Sequence, residues 1–499
     1  MVKHHCMTPR TRRTLAAVLG TVVAGTGVSV AANPAPVPTT AAYRATHATS
    51  AAAAVQASVV PPATPAAKCG PGSLPEAFQG RAPLADFSNG RADKGYRCNA
   101  VQDAHLGETG GFKTFRYTDT AGHTCAFYDG TLLFPTAATH NEAGGVHVLD
   151  MSDPTRPVET DRLVTAAMDS PHESLALNAQ RGLLAAGMGT PGTAPGIVDV
   201  YDVSSDCRHP VLQSSTPFGI LGHESGFSPD GRTLWISAAS QAGVAAIDVS
   251  NPRLPSLVWY DRTYTFHGMN LNDDGTRLYG ADLGAVHGLA ILDVSQIQKR
   301  VPNPVVRLVS HLTWREVSIP QNSIPVTIKG RKYLVEFDEY SSGVGSSASL
   351  YNPAAVVGAG RVIDIQDDKH PRVVSALRLA VNQPQARTTD QQNDPGAQYP
   401  VQGYAAHYCG APREIDPKLI ACSFILSGLR VFNIEDPLHP REVAYFNKPA
   451  PNTLPLKSGA YAMSAPSFDL AHQQVWYADG DSGFYAVKLT NGAWPRGLS

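Results

Sequence analysis

The feature that most constrains the fold is a phrase that recurs seven times along the chain. Each copy has alternating apolar residues, followed in most copies by Asp-x-Ser or a close variant and then by proline. The copies are HVLDMSDPTRP from His147, DVYDVSSDCRHP from Asp199, AAIDVSNPRLP from Ala245, AILDVSQIQKRVPNP from Ala290, RVIDIQDDKHP from Arg361, RVFNIEDPLHP from Arg430 and YAVKLTNGAWP from Tyr485. Alternation followed by a turn is typical of a half-buried strand that enters a hairpin.

More strands are predicted between the copies. Residues 228–231 (SPDG) and 272–275 (NDDG) each precede another strand-like run, and Asp-Gly between apolar runs indicates a hairpin. A final run, such as LVWYDRTY from Leu257, follows each early phrase. Four strands per repeat predict an all-β fold, a seven-bladed β-propeller with four-stranded blades. We expect an N-terminal strand, at about residues 111–118, to complete the last blade and leave no open edge.

The repeated phrases resemble the LVIVD-repeat family of secreted β-propeller proteins. The clearest matches are DMSDPTRP, DVSNPRLP and NIEDPLHP, and the likeness extends over most of residues 120–495. The sequence departs from the repeat at Asn433 and Lys488, which replace the aspartate. Because the family is defined by its repeat, the resemblance implies the fold and leaves the chemistry open.

The first part of the chain has the composition of an export signal. Basic residues precede an apolar run, residues 15–30, that ends in small residues, which predicts a signal peptide over residues 1–32. Residues 11–15 (TRRTL) resemble a twin-arginine signal, and a plain secretory signal is the alternative. Residues 33–68 are rich in Ala, Pro and Thr, which predicts a disordered tether before a single propeller domain over residues 69–499. The mature protein is therefore expected to be secreted, monomeric and without a membrane span.

The cysteines indicate the cellular compartment of the protein, and the net charge limits the kinds of partner it can bind. Cys409 and Cys422 flank a turn between two strand-like runs, which predicts a cross-strand disulfide in an oxidising compartment. Four other cysteines of the predicted mature chain allow three pairings, and their spacing does not choose among them: Cys69, Cys98, Cys125 and Cys207. A net charge of −2 argues against a nucleic-acid partner.

A histidine recurs at the predicted start of the innermost strand of five blades. These residues are His123, His172, His223, His267 and His407. Because innermost strands converge on the axis of a propeller, the five imidazoles are expected to surround the mouth of the channel. Imidazoles in such an arrangement suit Cu, Fe or Zn.

Carboxylates accompany these histidines. Glu173 and Glu224 each follow a histidine directly, and because adjacent strand residues face opposite ways we expect them to orient imidazoles rather than bind metal. Glu336 is expected at the same rim, as is Asp338. The same face of the propeller is predicted to carry His140, His287 and two long insertions, residues 339–360 and 381–403.

Three functions fit this pattern. The first is a mononuclear metal site for redox or O₂ chemistry on an unknown substrate. The alternative is a non-catalytic extracellular binding or scaffold propeller, in which the histidines are structural and the histidine-rich face contacts a small molecule, peptide or cell-surface component. The third is a hydrolase or lactonase that binds a divalent ion through Glu336, Asp338 and Glu339. The chain has no GxSxG, P-loop, HExxH or helix-opening GxGxxG motif.

Overall fold

Antiparallel strands are the main regular structure of the computed structural model, which describes residues 60–130, 144–188, 196–218, 222–239, 243–340, 357–383, 386, 403–450 and 460–499. Within these ranges there are also two short helices, Leu84–Ser88 and Ser295–Gln298, and 3₁₀ turns at Ala92–Lys94, Ala380–Asn382 and Ile425–Ser427. None of the helices in the described ranges is long and apolar enough to cross a membrane.

Four sheets each contain four strands that are consecutive in sequence. The first contains β3 (Thr114–Thr118), β4 (Thr124–Asp129), β5 (Val146–Asp150) and β6 (Val158–Leu163). The second contains β7 (Ala176–Asn178), β8 (Leu183–Gly187), β9 (Ile197–Asp202) and β10 (Val211–Pro217). The third contains β11 (Glu224–Phe227), β12 (Thr233–Ser237), β13 (Val244–Asp248) and β14 (Ser256–Asp261). The fourth contains β15 (Phe266–Leu271), β16 (Arg277–Asp282), β17 (Gly288–Asp293) and β18 (Arg307–Leu312).

A nine-stranded sheet follows, built from two antiparallel groups. One group is β19 (Ile319–Ile328), β20 (Arg331–Glu339), β21 (Gly360–Asp364) and β22 (Arg372–Leu377). The other is β23 (Ala406–Gly410), β24 (Leu419–Phe424), β25 (Gly428–Asn433) and β26 (Arg441–Asn447), extended by β1 (Tyr96–Cys98). The two groups are joined where Glu339 pairs in parallel with Ala406.

The last sheet combines both ends of the described chain. It contains β27 (Ser467–Asp469), β28 (Gln474–Asp479), β29 (Gly483–Leu489) and the N-terminal strand β2 (Ala100–Leu106). The outer strand of this sheet therefore comes from the N-terminal side, but the expected segment, about residues 111–118, is wrong, because its core is β3, the first strand of the first sheet. Both segments alternate, and only long-range pairing distinguishes them: Ala100 lies opposite Leu489, and Thr114 lies opposite Tyr128.

Neighbouring sheets pack face to face. The second strands β8, β12, β24 and β28 are buried along their whole length, because a sheet covers each of their faces. Tyr128 and Leu149 of the first sheet share one apolar cluster with Trp476 and Phe484 of the last sheet. Burying a side chain such as Phe484 stabilises the fold by about 1.5–3 kcal/mol.

The aspartate of the repeated phrase closes a turn after the third strand. In five copies its Oδ1 accepts a hydrogen bond from the backbone N–H two residues later: Asp150, Asp202, Asp248, Asp293 and Asp364. Asn433 makes the same contact at 3.0 Å, so this departure preserves the turn. The turn contact is not needed at Lys488, because β29 pairs with β2 and no fourth strand of this sheet follows β29 in sequence.

Three disulfides join the described cysteines. The predicted Cys409–Cys422 bridge is confirmed, with Cα atoms 3.9 Å apart, and the other pairs are Cys69–Cys98 and Cys125–Cys207. Intrachain disulfides are consistent with an extracellular protein. Residues 60–68, which composition assigns to the tether, make native contacts: Thr64 Oγ1 donates to the Ala376 carbonyl at 3.0 Å.

Removing β2 tests whether it protects the edge of β29. A chain that begins at Gly107 lacks β2, so the edge of β29 is exposed and Ala104 is missing from the core. We expect this chain to unfold at a lower temperature and to self-associate, measured by thermal unfolding and size-exclusion chromatography. A chain that begins at Asn99 also lacks β1 and the Cys69–Cys98 bridge but keeps β2, and it is the matched control. Equal melting temperatures and elution volumes would contradict the assignment of β2.

The turn aspartates give a second test. Asp202→Ala removes the acceptor for the Ser204 N–H, 2.8 Å away, and should lower the free energy of unfolding by about 1 kcal/mol. Asp202→Asn retains an acceptor oxygen, as Asn433 does, and should lose less. Chemical denaturation measures both values, and equal losses in the two variants would rule out the turn contact as the cause.

Candidate metal centre

Four of the five predicted histidines lie together. His267 is in β15 and His407 is in β23, whereas His172 and His223 lie just before β7 and β11. The ring centroids of His172 and His223 are 4.5 Å apart, and those of His223 and His267 are 4.4 Å apart. The first strands of these sheets pack side by side, which brings histidines far apart in sequence into contact.

The Glu173 carboxylate lies at the centre of these imidazoles. Its Oε2 is 3.3 Å from His223 Nε2 and 3.5 Å from His267 Nδ1. Its Oε1 is 3.4 Å from His407 Nε2 and 3.9 Å from His172 Nε2. All four imidazoles therefore contact one carboxylate that is only 2% exposed.

A second carboxylate, Glu339, completes the group. It is the last residue of β20, and its oxygens are 3.0 Å from His267 Nε2 and 3.2 Å from His407 Nε2. The recurring histidines did not point to Glu339, which the sequence predicted only as a ligand in the hydrolase or lactonase function. The available signal was its position at the end of β20, the second strand of its group. The histidine–glutamate cluster is defined here as His172, Glu173, His223, His267, Glu339 and His407.

A layer of hydrogen-bond donors holds the carboxylates from the other side. Gln321 Nε2 and the Tyr408 hydroxyl donate to Glu173 Oε2 at 2.9 and 3.0 Å. Lys113 Nζ is 2.9 Å from Glu224 Oε1, and its ammonium lies 3.7 Å from the centre of the Tyr408 ring. Lys113 thus occupies, just before the first strand of the first sheet, the place that was expected for His123.

Two local backbone features explain how the cluster fits together. His172 has φ of +52°, a left-handed conformation that is uncommon for residues other than glycine. Side chains do not alternate there as in a strand, so the expectation that His172 and Glu173 face opposite ways is wrong. Gly268 follows His267, and a Cβ at this position would overlap the Glu224 carboxylate and lie 2.6 Å from the Gln321 carbonyl.

The fifth histidine, His123, is not part of the cluster. The run TCAFYD is β4, the second strand, so His123 lies at the β3–β4 turn, at the other end of the first strand. Its Nδ1 is 2.9 Å from Asp119 Oδ2, which also accepts the backbone N–H of Cys207. Asp119, His123 and Asp206 could surround an ion, but hydrogen bonds already occupy both Asp119 oxygens.

Glu336 also lies outside the cluster. It pairs with Arg361, whose guanidinium donates to Asp338 Oδ1 at 3.0 Å, and all three residues are buried. These carboxylates are therefore bound to an arginine rather than exposed at a rim. His287 Nδ1 lies 3.0 Å from the Ser318 carbonyl, while His140 and most of both long insertions lie outside the described residues.

Several buried atoms of the cluster have no hydrogen-bond partner among the described residues. They are His172 Nδ1, His267 Nδ1, His407 Nε2 and Glu339 Oε2. Buried polar atoms are normally hydrogen-bonded, so such a concentration of unbonded ligand atoms is typical of a site that binds something else.

Burial and charge shift the pKa values of these groups in opposite directions. Burial, reinforced by His223, holds the pKa of His172 well below its usual value. Burial alone would lower the pKa of His407, but Glu173 and Glu339 raise it to about 9. Burial would likewise lower the pKa of His267, yet the same two carboxylates raise it well above its usual value. Without a metal, His267 and His407 therefore neutralise Glu173 and Glu339.

The donors fit a transition-metal ion. The ligand atoms of His172, Glu173 and His223 lie within 4.8 Å of one another, and so do those of Glu173, His267 and Glu339. Bonds of about 2.0–2.2 Å place two ligands of one ion at most about 4.4 Å apart, a spacing that is close to that of either set. Mixed imidazole and carboxylate donors suit Fe, Mn or Zn.

Solved structures that are similar to this chain share little of its sequence. The β-propeller domain of Cps50 (Swd1) from Myceliophteria thermophila is 9% identical, with a TM-score of 0.48 over 78% of this chain and 98% of its own. Hydrazine synthase from Kuenenia stuttgartiensis is 12% identical, with a TM-score of 0.48 over 78% of this chain and 97% of its own. The periplasmic gluconolactonase PpgL from Pseudomonas aeruginosa is 16% identical, with a TM-score of 0.42 over 70% and 93%. No family model and no curated protein matches the chain.

Metal binding should release protons. At pH 7 the raised pKa values leave His267 and His407 protonated in the metal-free protein, and each must lose its proton before it can bind a metal ion. The apparent affinity for Zn²⁺ should therefore increase as the pH rises towards about 9. Calorimetry in two buffers of different ionisation enthalpy should report about one to two protons released per ion at pH 7. A binding heat that is the same in both buffers would contradict ion binding at protonated His267 and His407.

Proposed function

We propose that this protein is a secreted, metal-dependent β-propeller oxidoreductase whose histidine–glutamate cluster holds Fe(II) or a similar divalent ion. The observation that carries this proposal is the group of His172, His223 and Glu173. Two imidazoles and one carboxylate with open positions form the donor set of non-haem Fe(II) oxygenases. The two carboxylates of the cluster favour Fe(II) or Zn over Cu.

The fold supports this proposal as follows. In the proposed architecture, the sheets form seven blades around one axis, and β2 closes the ring. Support comes from the first strands, which contact one another in the order β7, β11, β15, β19 and β23, and from the contact of β27 with β3. The apolar cluster between the first and last sheets agrees with closure. This architecture concentrates side chains from many blades at one end of the axis.

Access to the ion would come through His223. Its side chain is 19% exposed, while the side chains of His172, His267 and His407 are at most 5% exposed. A small substrate or O₂ would therefore reach the ion beside His223. Gln321 and Tyr408 keep the Glu173 carboxylate in place.

One observation favours the alternative, a non-catalytic binding or scaffold propeller. His267 and His407 already neutralise Glu173 and Glu339, so the cluster could hold blades together without an ion. The pKa of His407 is raised from 6.5 to about 9, so its protonation stabilises the metal-free fold fully below pH 6.5. That contribution is lost as the pH rises through about 9.

Metal analysis separates the two functions. Protein reconstituted anaerobically with Fe(II) or with Zn²⁺ should retain metal after desalting, and the double variant Glu173→Gln, His223→Asn should lose most of it. His123→Asn is the matched control and should bind as the wild type does. At a hundredfold excess of ion over the Kd, binding should stabilise the wild type by about 2.7 kcal/mol in thermal unfolding. A wild type that stays metal-free, while both variants fold, would establish the scaffold function instead.

A further inference from the structure

The histidine–glutamate cluster contains more ligand atoms than one ion requires. Two sets of donors overlap in it, one of His172, Glu173 and His223, the other of Glu173, His267 and Glu339. His407 adjoins the second set, because its Nε2 is 3.2 Å from Glu339 Oε2. Only Glu173 belongs to both sets.

The Glu173 carboxylate is oriented to serve both sets. Each of its oxygens lies between the two sets: Oε2 is 3.3 Å from His223 and 3.5 Å from His267, and Oε1 is 3.9 Å from His172 and 3.4 Å from His407, which adjoins the second set. Its hydrogen bonds from Gln321 and Tyr408 both reach Oε2, so they hold the carboxylate in place and leave Oε1 without these donors. A carboxylate in this position can give one oxygen to each of two ions.

A single ion would leave the second set unexplained. With an ion bound by His172, Glu173 and His223, Glu339 Oε2 and His407 Nε2 would have their ion pair at 3.2 Å but no hydrogen bond, and both side chains are at most 5% exposed. A buried ion pair without further hydrogen bonds offsets its desolvation cost poorly, whereas a second ion would bind both side chains. Glu224 is not counted as a ligand: Lys113 and Asn322 hold its Oε1, and its Oε2 lies 3.8 Å from His267 Nδ1.

We infer that the cluster is a dinuclear centre in which Glu173 bridges two divalent ions. The first ion is bound by His172 and His223, the second by His267, His407 and Glu339. This inference rests on the proposed function, since it requires that the cluster binds metal. Ions that share a carboxylate lie about 3.5–4 Å apart, so the pair can bind both oxygen atoms of one ligand, such as O₂ or a carboxylate.

The test counts ions in the full chain and measures their coupling. Protein loaded with Mn²⁺ and desalted should contain two ions per chain and give an electron paramagnetic resonance spectrum broadened by spin coupling. His172→Asn removes a ligand of the first ion, and asparagine tolerates the left-handed backbone there. His407→Asn removes a ligand of the second ion and keeps an N–H for the Met463 carbonyl, which lies 2.7 Å from His407 Nδ1. Each variant should retain one ion, without coupling.

The outcomes are distinct. Two coupled ions in the wild type and one uncoupled ion in each variant would support the dinuclear centre. One ion per chain in the wild type, two uncoupled ions, or a variant emptied of both ions would overturn it and leave metal binding itself intact. A wild type without any ion would overturn the proposed function and the dinuclear centre together. Melting temperatures close to that of metal-free wild type verify that the variants fold.

Discussion

The buried carboxylate of Glu173 is the group on which the histidine–glutamate cluster depends. A buried charge is stable only when opposite charges and hydrogen-bond donors surround it. Here the imidazoles of β15 and β23 supply the charge, and Gln321 and Tyr408 supply hydrogen bonds. Because these groups come from different sheets, satisfying one carboxylate also fixes how the first strands lie against one another.

The rest of the fold is built from interactions that repeat from sheet to sheet. Second strands are buried on both faces, and neighbouring sheets share apolar clusters. An aspartate or asparagine closes the turn after six of the third strands, as Asp202 and Asn433 do. These contacts are the same with or without a metal ion. The scaffold therefore keeps its repeated pattern, while single positions at the inner end of each sheet differ.

The repeated phrases predicted much of this scaffold, including the hairpins and the Cys409–Cys422 bridge. They also located four of the histidines. The predicted position of His123 was wrong because the first sheet begins one strand earlier than its phrase indicates. That shift places His123 at the other end of the sheet. Glu339 was not linked to the histidines, because it lies at the end of a second strand rather than beside a recurring histidine.

The sequence by itself determined the features that depend on near neighbours. Alternation, turn aspartates and the cross-strand cysteines are local, since each involves residues close together in the chain. Only the tertiary structure decided which N-terminal strand pairs with β29, and that Lys113 rather than a histidine stands in the first sheet. It also decided that Glu173 meets Tyr408, 235 residues away. Such contacts depend on how whole sheets pack around buried charge, and no local pattern in the chain encodes that packing.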